Sequence, residues 1–235
     1  MKIAMWSGPR NLSTAMMYSF GARSDCAVWD EPFYAAYLAA TGLEHPMRDE
    51  ILAAGEQDFA KVAVRCVGEI PNGKAHFYQK HMTQHMIAGV DRHWMAQVKN
   101  VFLIRHPARV IASYAKKRQG PTLDDIGFWQ QAELFEACEN PIVIDSHDIR
   151  DNPKAMLTTL CNALGLPFEQ AMLSWPAGGH ADDGAWAPHW YGAVHNSTGF
   201  AGAEAELPQL TGDYARLMDQ ALPFYEKLAA AKISL

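Results

Sequence analysis

The sequence predicts an α/β fold, a doubly wound five-stranded parallel sheet, on three observations. Short apolar runs alternate with helix-patterned stretches up to about residue 175. Those runs are apolar nearly throughout, as strands covered on both faces are. Almost every polar residue of chemical interest stands where such a run ends: Ser7, Asp30-Glu31, Lys80-His81, Arg105-His106 and Asp145-Ser146. Open parallel sheets bind ligands beyond the carboxyl ends of their strands.

In order, Lys2-Ile3-Ala4-Met5-Trp6 is the first strand, broken by Ser7-Gly8-Pro9. Leu12, Met16, Met17 and Phe20 recur at helical spacing, so a helix begins near Ser13 and Thr14. Cys26-Ala27-Val28-Trp29 is the second strand, and Pro32 stops it after Asp30-Glu31. Residues 33–41 are predicted helical and closed by Gly42. Residues 45–55 are punctuated, and 56–70 are predicted helical with Phe59, Val62, Ala63, Cys66 and Val67 inward. Pro71-Asn72-Gly73 is a turn before the third strand, 75–80, and a helix is predicted over 83–98. Val101-Phe102-Leu103-Ile104-Arg105 is the fourth strand, followed by a helix from His106-Pro107 to Arg118. Gly120-Pro121 breaks that helix, and a long one is predicted over 122–138. The fifth strand ends at Asp145; Asp151-Asn152-Pro153 then caps a helix that Gly165 ends. Residues 177–202, rich in Gly, Trp, His and Asp, have the make-up of a lid or binding loop, or of a solvated excursion anchored by its aromatics. Residues 214–232 form an amphipathic helix that Pro223 should kink or restart.

Composition narrows the function. The 235 residues, 49% hydrophobic and 20% charged, fit one domain over 1–235, with a core of about 1–175 and a C-terminal loop and helix over 176–235. A formal net charge of -6 argues against nucleic-acid and membrane-surface partners. An anion site must then be a local basic cluster in an acidic molecule. Cys26, Cys66, Cys138 and Cys161 are far apart and form no CxxC pair, as reduced thiols of a cytoplasmic protein would be. No run reaches membrane-spanning length, and the stretch after Lys2 is too short for a signal peptide, so the cytoplasm is the expected location.

Arg10, Ser13 and Thr14 converge on a helix start, where free N–H groups favour an anion. An ordinary strand-to-helix turn with a capping serine is the plain alternative. The loop is not GxxxxGK[ST]: Leu12 stands for the second glycine, and no Lys-Ser/Thr pair follows.

Arg105-His106-Pro107-Ala108-Arg109-Val110-Ile111-Ala112-Ser113 resembles the 3′-phosphate-binding segment of sulfotransferases that use 3′-phosphoadenosine 5′-phosphosulfate (PAPS). There a strand ends in Arg-x-Pro, and a serine on the next helix completes a fork of donors. Pro9-Arg10-Asn11-Leu12-Ser13-Thr14 resembles the family's 5′-phosphosulfate loop, Pro-[Lys/Arg]-Ser-Gly-Thr-[Thr/Ser]. Asp148-Ile149, Pro153 and Leu164-Gly165-Leu166 are similar to the family's strand exit and following helix. The likeness runs in order over about residues 1–175. The GPRNLST loop with Asp30-Glu31-Pro32 is similar to a bacterial branch of the family. Asn11-Leu12 departs from Ser-Gly, and Leu12 removes the residue that brings backbone closest to phosphate. Ser146 and His147 depart from a frequent tyrosine and the usual glutamate.

The resemblance implies the P-loop nucleoside-triphosphate-hydrolase-like fold of sulfotransferases, PAPS as co-substrate, no metal, and a small-molecule hydroxyl or amine as acceptor. It implies that Arg10, Asn11, Leu12, Ser13 and Thr14 hold the 5′-phosphosulfate and that Arg105 and Ser113 hold the 3′-phosphate; Lys80, at the end of the third strand, is expected to reach the bridging oxygen, although in Gln79-Lys80-His81 only the histidine matches the family's Lys-x-His directly. Catalysis would then be mostly positioning and cationic stabilisation. Two residues compete for the base. His81 follows the third strand, where cytosolic sulfotransferases place Lys-x-His; otherwise it is a solvated strand-end histidine. Glu31 is the second choice, since other branches use a carboxylate after strand two; otherwise Asp30-Glu31 only caps the next helix.

Other readings are weaker. His81 and His85 stand four apart but lack the glutamate of HExxH and a third ligand. Arg109, Lys116, Lys117 and Arg118 fit a solvated helix face, with Arg109 near enough to assist. An ATP-dependent kinase lacks its Lys-Ser/Thr pair, and only Asp30 or Asp145 could be its magnesium-holding aspartate. A non-catalytic nucleotide-binding or interaction protein on a sulfotransferase scaffold is kept open by the unusual loop. Trp186, Trp190, Tyr191 and Phe200 fit a ring-bearing or apolar acceptor, or packing alone. The sequence has no bearing on oligomeric state.

Overall fold

In the computed structural model, which describes residues 1–235, Lys2–Ser7 (β1), Cys26–Asp30 (β2), His76–Met82 (β3), Lys99–Ile104 (β4) and Ile142–Asp145 (β5) form one sheet. Every pairing is parallel, in the order β2-β3-β1-β4-β5. The helices in chain order are α1 (Ser13–Gly21), α2 (Tyr34–Thr41), α3 (Arg48–Ala54), α4 (Phe59–Val67), α5 (Pro107–Ala115), α6 (Leu123–Ile126), α7 (Phe128–Glu136), α8 (Ser146–Asp151), α9 (Pro153–Leu164), α10 (Ala187–Trp190), α11 (Gly192–His195) and α12 (Gly212–Ala229). No helix is long and apolar enough to cross a membrane.

Successive side chains of a strand point to opposite faces, and the core divides accordingly. Ile3, Met5, Tyr78, Leu103 and Ile144 pack against α1 and α9. Ala4, Trp6, Phe102, Ile104 and Val143 pack on the other face with residues of α4, α7 and α12. The chain leaves β1 for β2 and β3 on one side, then forms β4 and β5 on the other. This reversal opens a crevice beyond the carboxyl ends of β1 and β4.

Local structure departs from expectation in four places. Residues 83–98 are not one helix but two 3-10 turns, Thr83–His85 and His93–Gln97. Gly89 takes a φ of +84° between them, and Asp91 Oδ1 accepts the His93 N–H at 3.0 Å, which restarts the chain. The helix expected over 122–138 is cut at Gly127, whose φ is +72°. A Cβ there would also lie 2.6 Å from Thr83 Oγ1, so a side chain is excluded twice over. Asp58 caps α4 at Ala60 and Lys61 and shortens it to Phe59–Val67, while the preceding stretch forms an extra helix, α3. Finally, α12 runs unbroken through Pro223. An interior proline costs about 3 kcal/mol. Burial of Leu217 and Leu228, at about 1.5–3 kcal/mol each, offsets it.

Candidate active site

A cavity of ≈ 400 Å³ occupies the crevice, and residues of all five strand exits or the elements after them meet in it or beside it. Arg10, Asn11, Leu12, Ser13, Thr14, Glu31, Lys80, Arg105 and Ser113 all line it. His81 does not.

The loop after β1 is held open by its backbone. Arg10 and Leu12 adopt φ of 63° and 73°, the left-handed region that costs a residue with a Cβ about 1–2 kcal/mol. Asn11 is buried, and its Nδ2 donates to Leu103 O at 3.2 Å, so its side chain fixes the loop to β4. Gly8 is required, because a Cβ there would fall 2.4 Å from Ile126 O. No side chain caps α1 at Leu12. The first N–H groups of the helix therefore join the Ser13 and Thr14 hydroxyls as donors for an anion.

The arginines meet across this loop. Arg10 Nε donates to Ser113 Oγ at 2.9 Å, and Arg105 Nη1 to Arg10 O at 2.6 Å. Burial, then the charge of Arg105, lowers the Arg10 pKa. His106 starts α5 by accepting the Ala108 N–H on Nδ1 at 3.2 Å, which aims Ser113 and Arg109 back at the strand end. Arg109 and Arg150 complete a cluster around Glu204, whose side chain is 1% exposed. Arg105 Nη2 lies 2.5 Å and Arg150 Nη1 2.9 Å from Glu204 Oε1, and Arg109 Nε lies 2.9 Å from Oε2. Burial alone would raise the Glu204 pKa; the arginines, Arg105 foremost, hold it below the usual carboxylate value.

On the other side of β1 lies a buried charge network. Lys80 Nζ donates to Asp30 Oδ1 at 2.8 Å, Glu31 Oε1 at 2.5 Å and Tyr191 OH at 2.6 Å. An ammonium has three protons, and all three are committed. Lys80 thus reaches the cavity but has no proton left for a bridging oxygen, and its expected role is corrected to that of a clamp on two carboxylates. Tyr191 OH also accepts from Trp186 Nε1 at 2.8 Å and lies 2.8 Å from Asp30 Oδ2. Burial raises the Glu31 pKa, against the pull of Lys80. Glu31 sits at a φ of 37°, a strained position for a glutamate. Its Oε2 faces His85 Nε2 at 4.0 Å. His85 lies between the rings of Tyr34 and Tyr37, at centroid distances of 4.6 and 4.8 Å, and burial holds it neutral.

The expectation that His81 is the base is overturned. On β3 it is the neighbour of Lys80, so it points to the opposite face, in register with Trp6. It stacks on Trp6 at 4.4 Å and contacts Phe33 and Trp94, in the apolar layer under α4 and α7. Burial and then Lys80 push its pKa down to about 3. The late aromatics divide. Trp190 and Tyr191 line the cavity, Trp186 is buried beside Tyr34, and Phe200 packs edge-on against Trp175. Sequence reasoning missed Glu204 and Arg150, and considered His85 only as a metal ligand. His85 lies in a stretch whose pattern predicts a helix, and Glu204 in a segment without periodicity.

The parallel sheet and its strand-exit cavity place the protein among the P-loop-like α/β folds. The chain belongs to the sulfotransferase-domain family, whose model matches residues 1–232. Sulfotransfer is accordingly the activity its family carries. It is 36% identical over 230 residues to the branched-chain-amino-acid aminotransferase-like proteins 2 and 1 of Arabidopsis thaliana, covering 96% of this chain. The chain spans 41% of the length of each. Among solved structures, the sulfotransferase domain from the Synechococcus PCC 7002 olefin synthase superposes with a TM-score of 0.63 at 19% identity, covering 100% of this chain and 95% of that one. The sulfotransferase domain from the curacin biosynthetic pathway gives a TM-score of 0.53 at 16% identity, covering 94% and 97%. Both share the fold.

Proposed function

We propose that the protein transfers the sulfuryl group of PAPS to a hydroxyl or amine of a small-molecule acceptor. The observation that carries this reading is the order of groups across the sheet edge. Donors from α1 and Arg10 sit over central β1, the arginine cluster lies over β4 and β5, and the Glu31 network lies over β2 and β3. One nucleotide bearing an anion at each end fits the first two, and leaves the third for the acceptor.

In this assignment Arg10, the α1 N–H groups, Ser13 and Thr14 hold the 5′-phosphosulfate, and stabilise the charge that builds on the departing phosphate. Arg105, with Ser113 beside it, holds the 3′-phosphate. Glu31 accepts the acceptor's proton on Oε2. A carboxylate whose pKa is raised by burial is a better base near neutrality than an exposed one. Lys80 keeps the network charged and in place. Trp190, Tyr34 and the Tyr191 ring form the wall against which the acceptor lies.

The test is a melting-temperature panel. Adenosine 3′,5′-bisphosphate should raise the Tm well beyond ATP with magnesium, through preferential binding to the native state. Equal or reversed shifts would count against the assignment. Transfer of the radiolabelled sulfuryl group from PAPS to members of a panel of phenols, alcohols and amines, with release of adenosine 3′,5′-bisphosphate, then identifies the acceptor class.

A further inference from the structure

We propose that Glu204 is a built-in competitor of the nucleotide's 3′-phosphate: its carboxylate stands where that phosphate binds, and only a ligand with a phosphate at that position displaces it. The inference rests on the PAPS reading above.

Three guanidinium groups surround one carboxylate, and each comes from a different element: Arg105 from the end of β4, Arg109 from α5 and Arg150 from α8. Three positive charges against one negative charge leave the cluster electropositive. The fit is also incomplete, because Glu204 Oε2, although close to Arg109 Nε, has no well-directed hydrogen bond. His147 Nδ1 stands 3.9 Å from the same oxygen. A phosphate monoester brings two negative charges and three acceptor oxygens to the same donors, which matches them better than a carboxylate does. Arg105 and Arg150 line the cavity, so a nucleotide phosphate entering along β4 meets two of the three guanidinium groups that hold the carboxylate.

The backbone around Glu204 is held apart from its side chain. Arg150 Nε donates to Gly202 O at 2.9 Å, and Arg109 Nη2 to Ala205 O. A rotation of one side chain therefore frees the cluster while the segment stays in place. A nucleotide without a 3′-phosphate has nothing to exchange for the carboxylate, and binds with Glu204 still seated.

Calorimetric titration of the wild type and Glu204→Gln with adenosine 3′,5′-bisphosphate and with 5′-AMP tests this. The variant is expected to bind the bisphosphate about tenfold more tightly than the wild type, the scale of a charged hydrogen bond removed from the competitor. Affinity for 5′-AMP is expected to stay within about twofold, since Glu204 touches nothing that 5′-AMP uses. Glu204→Asp withdraws the carboxylate by one methylene and should shift the bisphosphate in the same direction by less. It serves if Glu204→Gln does not fold. A wild type that prefers the bisphosphate, with variants that bind it equally or more weakly, would overturn the inference alone. A wild type and variants that all bind the two nucleotides equally would overturn the PAPS reading, and this inference with it.

Discussion

Arg10 Nε donates to Ser113 Oγ at 2.9 Å, and this bond ties the loop after β1 to the helix after β4. The two halves of the proposed nucleotide site are thus one piece, since Arg105 also donates to Arg10 O. Arg105→Ala should weaken adenosine 3′,5′-bisphosphate by about 1.5–3 kcal/mol, as for a lost charged hydrogen bond, while 5′-AMP changes little. Calorimetry with both ligands decides it; comparable losses would mean that Arg105 does not read the 3′ position.

Glu31→Gln should lower turnover by about 10²–10⁴-fold, the usual contribution of a positioned base, and leave bisphosphate affinity intact. In the wild type, activity should rise with pH as Glu31 loses its proton, with the limb above the ordinary carboxylate value because burial raises this pKa. A full rate in the variant would remove Glu31 from the chemistry.

His81 gives a stability signature instead. Its folded pKa is depressed to about 3 against an ordinary 6.5. Between those values the unfolded chain binds a proton that the native state refuses, so stability present above pH 6.5 is lost as pH falls, at about 1.4 kcal/mol per pH unit for one such group. His85 adds in the same direction. His81→Phe should flatten the acid side of the stability curve measured by urea unfolding, and should retain turnover. Loss of turnover with an unchanged curve would restore His81 as the base.

Lys80→Met should destabilise the protein by about 3–5 kcal/mol, because it leaves Asp30 and Glu31 buried without their counter-charge. A shift of under 1 kcal/mol in a denaturant titration would show that the network is not structural.

Gly127→Ala should cost more than Gly165→Ala. Both glycines have φ near +70°, at 72° and 75°, and so share a backbone penalty of about 1 kcal/mol. Only at Gly127 does the new Cβ strike Thr83 Oγ1, whereas nothing lies within 4 Å of one at Gly165. Equal Tm losses would contradict the packing seen here.

The strands, the strand-exit residues and the family were legible in the sequence because each depends on local pattern or on spacing along the chain. Facing was not. β3 reads His-Phe-Tyr-Gln-Lys-His-Met, with polar side chains on both faces, so alternation could not say whether Lys80 or His81 meets the crevice. Only the pairing of His81 with Trp6 settles it. Glu204 was hidden for another reason: its three partners lie 54 to 99 residues away, and no periodic pattern encodes such a meeting. The helix predicted over 83–98 failed because Met86 and Gly89 leave the helical region and Asp91 restarts the chain, within an otherwise helix-like composition.

Tyr191 comes from the late segment, yet its hydroxyl completes the shell around Lys80 and Asp30 on β3 and β2. Excision of the chain near residue 175 would therefore not yield a minimal working module. It would strip a buried ion cluster of its neutral partner and, with α12 gone, uncover the sheet face beside β5. Attempts to shrink this protein, or to transplant its first 175 residues into another scaffold, must carry the last 60 or so residues with it.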